Sequence, residues 1–203
     1  AMSVDVPGVA ITKREKSSAA QLAHIMEAVY SVLQRYEEGC MDLDKTIGKA
    51  ERINNGQCQA AHALHQALLA EHMEYLSCTI HPSATPEIKA LPTQCRMLQR
   101  LWQHGIRDFL DALRLHAPET NVFAESFVIS SYQFFGYLLE VVQDKVMTPF
   151  WLVCLGELAA KYASLAVSIE ERLQWTKIAQ SWLTEALYRA PYIGRAQHCL
   201  GAI

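Results

Sequence analysis

The stretch from Phe150 to Ile203 constrains the fold of this chain more than any other. Its apolar residues recur at helical spacing through a long helix, a turn, a second long helix stopped at Pro191, and the opening of a third. In the second helix Ala179, Leu183, Ala186 and Pro191 follow one another as small, large, small and breaker. Small residues let a neighbouring backbone approach, the large one fills the space beside it, and proline ends the helix. The pair Leu155-Gly156 returns as Leu200-Gly201, a recurrence longer than the period of about 34 residues usual for paired-helix repeats. The pattern predicts helical units stacked in an array, with the excess length around Ser168 to Gln174.

Upstream the same period continues. The spacing predicts a helix from about Glu15 to Glu38 closed by Gly39, and a second from Asp42 or Asp44 to Arg52. A third runs from about Gln57 to Cys78 with Ala61, Leu64, Leu68, Met73 and Leu76 as its buried stripe. The segment His81 to Glu87, HPSATPE, reads as an ordered loop because its two prolines interrupt a helix and Ser83 and Thr85 can bond the nearby backbone. A fourth helix follows Pro92 and ends by Pro118. A fifth, from about Glu119 to Val146, is apolar nearly all round, which predicts a central position. No segment reads as a strand. Residues 1–14, with Pro7 and Gly8 and no periodicity, are expected to be a flexible arm, and 15–203 a single helical-repeat domain. Ala1 ahead of Met2, and a helix opening just before Ile203, suggest a piece of a longer protein.

Several segments, in this order, carry a family resemblance: HPSATPEIKAL (81–91), LQRLWQHGIRDFLDALR (98–114), SSYQFFGYLLEVV (130–142), WLVCLGELAAKY (151–162) and AQSWLTEALYRAPYIGRAQHCLGAI (179–203). Together they resemble fungal proteins with an Est1-type DNA/RNA-binding domain. These are similar in turn to the "ever shorter telomeres" telomerase subunit and to the SMG proteins of nonsense-mediated mRNA decay. The resemblance covers roughly residues 75–203. It implies an all-α, antiparallel array of about eight helices, a right-handed superhelix of tetratricopeptide or 14-3-3 type. It also implies a non-catalytic scaffold for a peptide or protein partner, phosphorylated partners included, in mRNA decay or telomere maintenance. The alternatives it leaves open are direct binding of single-stranded RNA or DNA and a structural assembly module of a larger complex. A nuclear or cytoplasmic location is expected, since the six cysteines read as reduced intracellular thiols. Ala160-Lys161-Tyr162 stands where relatives often carry a more basic stretch.

The residues themselves narrow the chemistry. A net charge of −3 excludes bulk electrostatic attraction to nucleic acid, so contact with an anion needs a local patch. At about 100° per residue, Arg96, Arg100, His104, Arg107 and Arg114 fall in one stripe of the fourth helix. That stripe reads either as a solvated face, partly neutralised by Asp108 and Asp111, or as a groove in which guanidinium groups grip an acidic or phosphorylated segment. Reversing the charge of Arg100 and Arg107 is then expected to abolish partner binding and leave the fold intact. Tyr188, Arg189, Tyr192 and Arg195, around Pro191, form a second candidate edge that mixes aromatic and basic groups.

Cys58, His62, His65 and His72 share one face of the third helix, yet one straight helix rarely encloses a tetrahedral ion and no paired ligand spacing is present. Satisfied histidines are the expectation, with no metal and no cofactor. The six cysteines form no CxxC pair and read as reduced core thiols. No nucleophile motif or phosphate-cradling glycine loop appears, so no catalytic residue is expected. Tyr132, Phe134, Phe135, Tyr137, Trp151, Trp175 and Trp182 are expected to pack between helices, and no apolar run reaches the roughly 18 residues of a membrane span.

Overall fold

Residues 19–203 are described by the computed structural model of the chain, and every regular element among them is helical. There are eight helices: α1 (Ala19–Lys49), α2 (Asn55–Thr79), α3 (Pro86–Gln94), α4 (97–114), α5 (Asn121–Val141), α6 (Thr148–Leu165), α7 (Ile169–Arg189) and α8 (Gly194–Ala202). Helix α4 is continuous, with α-helical Met97–Trp102 and Asp108–Arg114 flanking a π-helical turn, Gln103–Arg107. The expected arm, 1–14, and the start of the first expected helix lie outside the described residues.

Two helices expected at the N-terminal end are one. Helix α1 passes through Gly39, because Leu22, Met26, Leu33, Glu37, Cys40, Asp44 and Ile47 keep one face buried along its length. A glycine weakens a helix without ending it when packing continues on both sides. Helix α2 begins where a capping box forms: Asn54 Oδ1 accepts from the Gln57 backbone N–H, and Gln57 Oε1 accepts from that of Asn54, both at 2.9 Å.

The HPSATPE segment is only partly a loop. Thr85 caps α3 and Pro86 occupies its first turn, where the missing N–H costs nothing. Pro92, expected to precede the next helix, lies inside α3 and is buried. The break falls instead at Arg96, the one non-glycine residue with positive φ (52°) among those described.

Contacts show how the long helices run. Tyr30 meets Tyr75 and Asp44 meets His65, so α1 and α2 are antiparallel. Phe109 packs on Phe127 and Trp102 on Phe135, so α4 and α5 are too. Phe135 against Trp151 and Glu125 against Tyr162 give the same sense to α5 and α6. The main core joins α2, α4, α5 and α6, with smaller clusters under α1–α3 and under α6–α8. The most enclosed helix is α6, in which Trp151 to Gly156 are all buried, and not α5, whose Ile129 and Tyr137 are exposed. The aromatic residues expected between helices are there except Tyr137, which is exposed: Trp182 Nε1 donates to Tyr132 Oη at 2.8 Å, and Trp175 stands edge-on to Tyr132.

The small and large residues of the C-terminal stretch explain one another. A Cβ on Gly156 would lie 2.6 Å from Leu183 Cγ and 3.3 Å from the Ala179 carbonyl, so α6 and α7 touch at nearly backbone distance. By contrast Gly136, in α5, has nothing within 4 Å of the same position. Gly156→Ala is expected to destabilise by up to about 2 kcal/mol, overpacking of about 1–3 less about 1 regained in helix propensity. Gly136→Ala should stabilise by up to about 1 kcal/mol. Urea denaturation of the two variants, which carry the same substitution with opposite expected signs, checks this.

Candidate functional site

Two carboxylates seven residues apart on the buried face of α1, Glu37 and Asp44, determine where the sequence-predicted arginines go. Arg100 Nε donates to both Glu37 oxygens, at 3.0 and 3.1 Å, and its Nη2 to Oε2. Its Nη1 donates to Tyr30 Oη at 2.9 Å, with the guanidinium over the Tyr30 ring. The bond to Glu37 holds the Arg100 pKa above its already high value. Arg100 is therefore consumed in tying α4 to α1, and reversing its charge would bury two like charges. The expectation that such a change leaves the fold intact is corrected accordingly.

Asp44 Oδ1 meets His65 Nε2 at 3.1 Å, and His65 Nδ1 donates to the Gly105 carbonyl at 3.0 Å. The His65 ring stacks on Phe109 at 4.3 Å. Gly105 sits in the π turn, where the i→i+4 ladder is interrupted and a carbonyl can accept from outside. That turn inserts one residue into the register, rotating Arg107 and Arg114 by about 100° from where a regular helix would align them with Arg100. The five basic residues thus do not form one stripe. Arg96 is exposed in its left-handed link, His104 meets Asp108 at 3.1 Å, Arg107 meets Asp108 at 3.2 Å, and Arg114 lies 3.9 Å from Asp111.

The second predicted edge divides as well. Arg195 turns inward and holds Glu157 with two nitrogens, Nη2 at 2.8 Å, while lying over Trp102 at 4.3 Å and Phe150 at 5.5 Å. Cys199 Sγ donates to the same carboxylate at 3.2 Å, and burial pushes that thiol up to about 12. Arg189 pairs with Glu185 at 2.6 Å. Tyr188 and Tyr192 stay on the surface, 83% and 87% exposed.

The histidines of α2 do not gather. His65 is committed to Asp44 and Gly105, His62 lies beside Gln66, and His72 Nδ1 donates to the Leu68 carbonyl at 2.9 Å. Among the described residues no group of three His, Cys, Asp or Glu side chains could hold a metal ion. No disulfide joins any of the six cysteines. No helix among the described residues is long and apolar enough to cross a membrane.

What the structure does bring together is Arg107 with Lys161, a residue that the charge pattern of α4 alone does not reveal. Both line a cleft of about 130 Å³ between α4 and α6, with Trp102 and Leu110 supplying apolar wall and Glu157 and Asp111 its acidic part. Glu157 is neutralised by Arg195, and Asp111 faces Arg114. Arg107 is half exposed, and Lys161 makes no ion pair among the described residues. Comparison of the chain with protein-family models, with curated proteins and with solved structures returned no match.

Two predictions follow from the buried polar groups. Arg100→Met leaves the Glu37 carboxylate buried and unpaired and should cost about 3–5 kcal/mol, while adding Glu37→Met should restore most of it. Urea denaturation of the single and double variants measures both. His72 gives a pH dependence. Burial of its ring, with Nε2 unpartnered, pushes its pKa down to about 4 from about 6.5. The unfolded chain therefore takes up this proton first as pH falls. The contribution is complete above pH 6.5 and is lost towards pH 4 at roughly 1.4 kcal/mol per unit. Unfolding free energies at pH 7 and 4.5 should show a smaller drop for His72→Met than for the unaltered chain.

Proposed function

We propose that this chain is a non-catalytic interaction scaffold that docks an acidic or phosphorylated segment of a protein partner in the cleft between α4 and α6. The observation that supports the reading is the convergence of Arg107 and Lys161 on one cleft while Arg100, Arg114, Arg189 and Arg195 each face a carboxylate of their own. Arg107 reaches a single Asp108 oxygen at 3.2 and 3.3 Å. An exposed pair of that kind is worth about 1 kcal/mol or less, so a doubly charged phosphate can displace it. A guanidinium beside an ammonium provides forked and point-charge donors together, and the Trp102 ring gives the adjoining residue an apolar surface.

The segments that resemble Est1-type and SMG proteins support the same reading from another direction and give it a setting, mRNA decay or telomere maintenance, in nucleus or cytoplasm. On this reading Arg96, Arg100, His104 and Arg114, none of which lines the cleft, take no direct part, and Arg100 acts by seating α4 on α1. Tyr188 and Tyr192 are exposed and do not line the cleft.

A degenerate phosphoserine peptide library and its unphosphorylated twin test the proposal by fluorescence anisotropy. Saturable binding of the phosphorylated set is expected. Arg107→Glu and Lys161→Glu should each weaken it at least about tenfold, or 1.4 kcal/mol, with little change in melting temperature because both side chains are at the surface. Equal binding of the two libraries would reject it. Single-stranded RNA that binds with a steep salt dependence, while both libraries fail, would move the function to nucleic acid.

A further inference from the structure

We infer that Arg195 of α8 controls the Arg107–Lys161 cleft by taking Glu157 away from Lys161. The inference rests on the docking proposed above and names what regulates it. Glu157 and Lys161 stand four residues apart on α6 with the acid on the N-terminal side, the order that favours an ion pair along a helix. Both line the cleft, yet they do not pair. Arg195 occupies the carboxylate instead. Its Nε and Nη2 each donate to one Glu157 oxygen, at 2.5 and 2.8 Å, and Cys199 Sγ adds a third donor at 3.2 Å.

A forked guanidinium holds a carboxylate better than a single ammonium does. Arg195 also lies over the rings of Trp102 and Phe150, and the attraction of a cation for an aromatic face keeps it there. The side chains of the pair are only 31% and 19% exposed, so salt screens them less than a surface pair. Lys161 is thereby left to the cleft. The helix that brings Arg195 in is a light one: α8 spans nine residues, and Ala196 is its one buried side chain. An element with so little buried surface opens more readily than the core. With α8 seated, Lys161 joins Arg107 and the cleft accepts an anion. With α8 released, one positive charge leaves the cleft's edge and Glu157 captures another, so the anion is refused.

Acetylation of lysines by a limiting amount of an N-hydroxysuccinimide ester, read by mass spectrometry and normalised to the exposed Lys145, measures how free the Lys161 amine is without any ligand. Lys161 should be labelled about twofold more slowly in Arg195→Met than in Arg195→Met with Glu157→Gln, the effect of one pair at this spacing. Loss of α8 docking would be common to both variants, so the comparison isolates capture by Glu157. With Arg195 in place, Glu157→Gln should not speed labelling. Equal rates in the single and double variants, or faster labelling on Glu157→Gln with Arg195 present, would overturn the inference. The phosphoserine library gives the second arm: Arg195→Met should weaken its binding and Glu157→Gln should restore it. Equal binding to the unaltered chain and to Arg195→Met would overturn control of the cleft, whereas a library that binds neither rejects the docking and leaves the exchange at Glu157 to be decided by labelling.

Discussion

Helix α1 is tied to α4 by two polar contacts that start one heptad apart, one direct and one relayed through His65 of α2, and the seating of α4 depends on them. Glu37 with Arg100 fixes the first half of α4, and Asp44, through His65, fixes the π turn at Gly105. Charged groups are expensive to bury, so each contact is stable only when the geometry satisfies nearly every donor and acceptor. That requirement makes the pair selective. Sliding α4 along α1 by one helical turn would separate Arg100 from Glu37 and Gly105 from His65 together. Apolar contacts alone would tolerate such a slip far better, because methyl groups accept many neighbours.

Much of the architecture was legible in the sequence because burial imposes a period on apolar residues. The long helices and the small, large, small sequence from Ala179 to Ala186 follow from that period, and Gly156 against Leu183 gives the pattern its physical meaning. The departures have equally specific causes. Gly39 and Pro92 look like stops when read singly, and both were overridden by buried neighbours on the same face. The inserted residue at 103–107 was illegible, since it is stabilised by His65, a residue from another helix.

The candidate sites were legible in a different proportion. Charge periodicity located α4 as the basic helix but gave no way to tell which arginine already has a buried carboxylate. Glu37, Asp44 and Glu157 decide that, and each lies far along the chain from its partner. Lys161 and a second cleft, beside Asp44, emerge only once α6 and α1 are placed against α4. Sorting paired from unpaired charges replaces the one basic stripe with two small clefts along α4, one of them lined by Arg107 and Lys161. Asp111 borders both of them.

The π turn also separates the two ends of α4 into independently phased surfaces. Removing one residue from 103–107 would leave the same composition, the same apolar fraction and a more regular hydrogen-bond ladder. It would nevertheless swing Phe109, Asp108 and Asp111 about a quarter of the way round the helix relative to Arg100. Both clefts would lose a wall while the first half of α4 stayed seated on Glu37. A single-residue length change at this point is therefore a larger event than most substitutions elsewhere in the helix, and aligning related chains across it calls for a gap at Gly105 before any residue beyond it is compared.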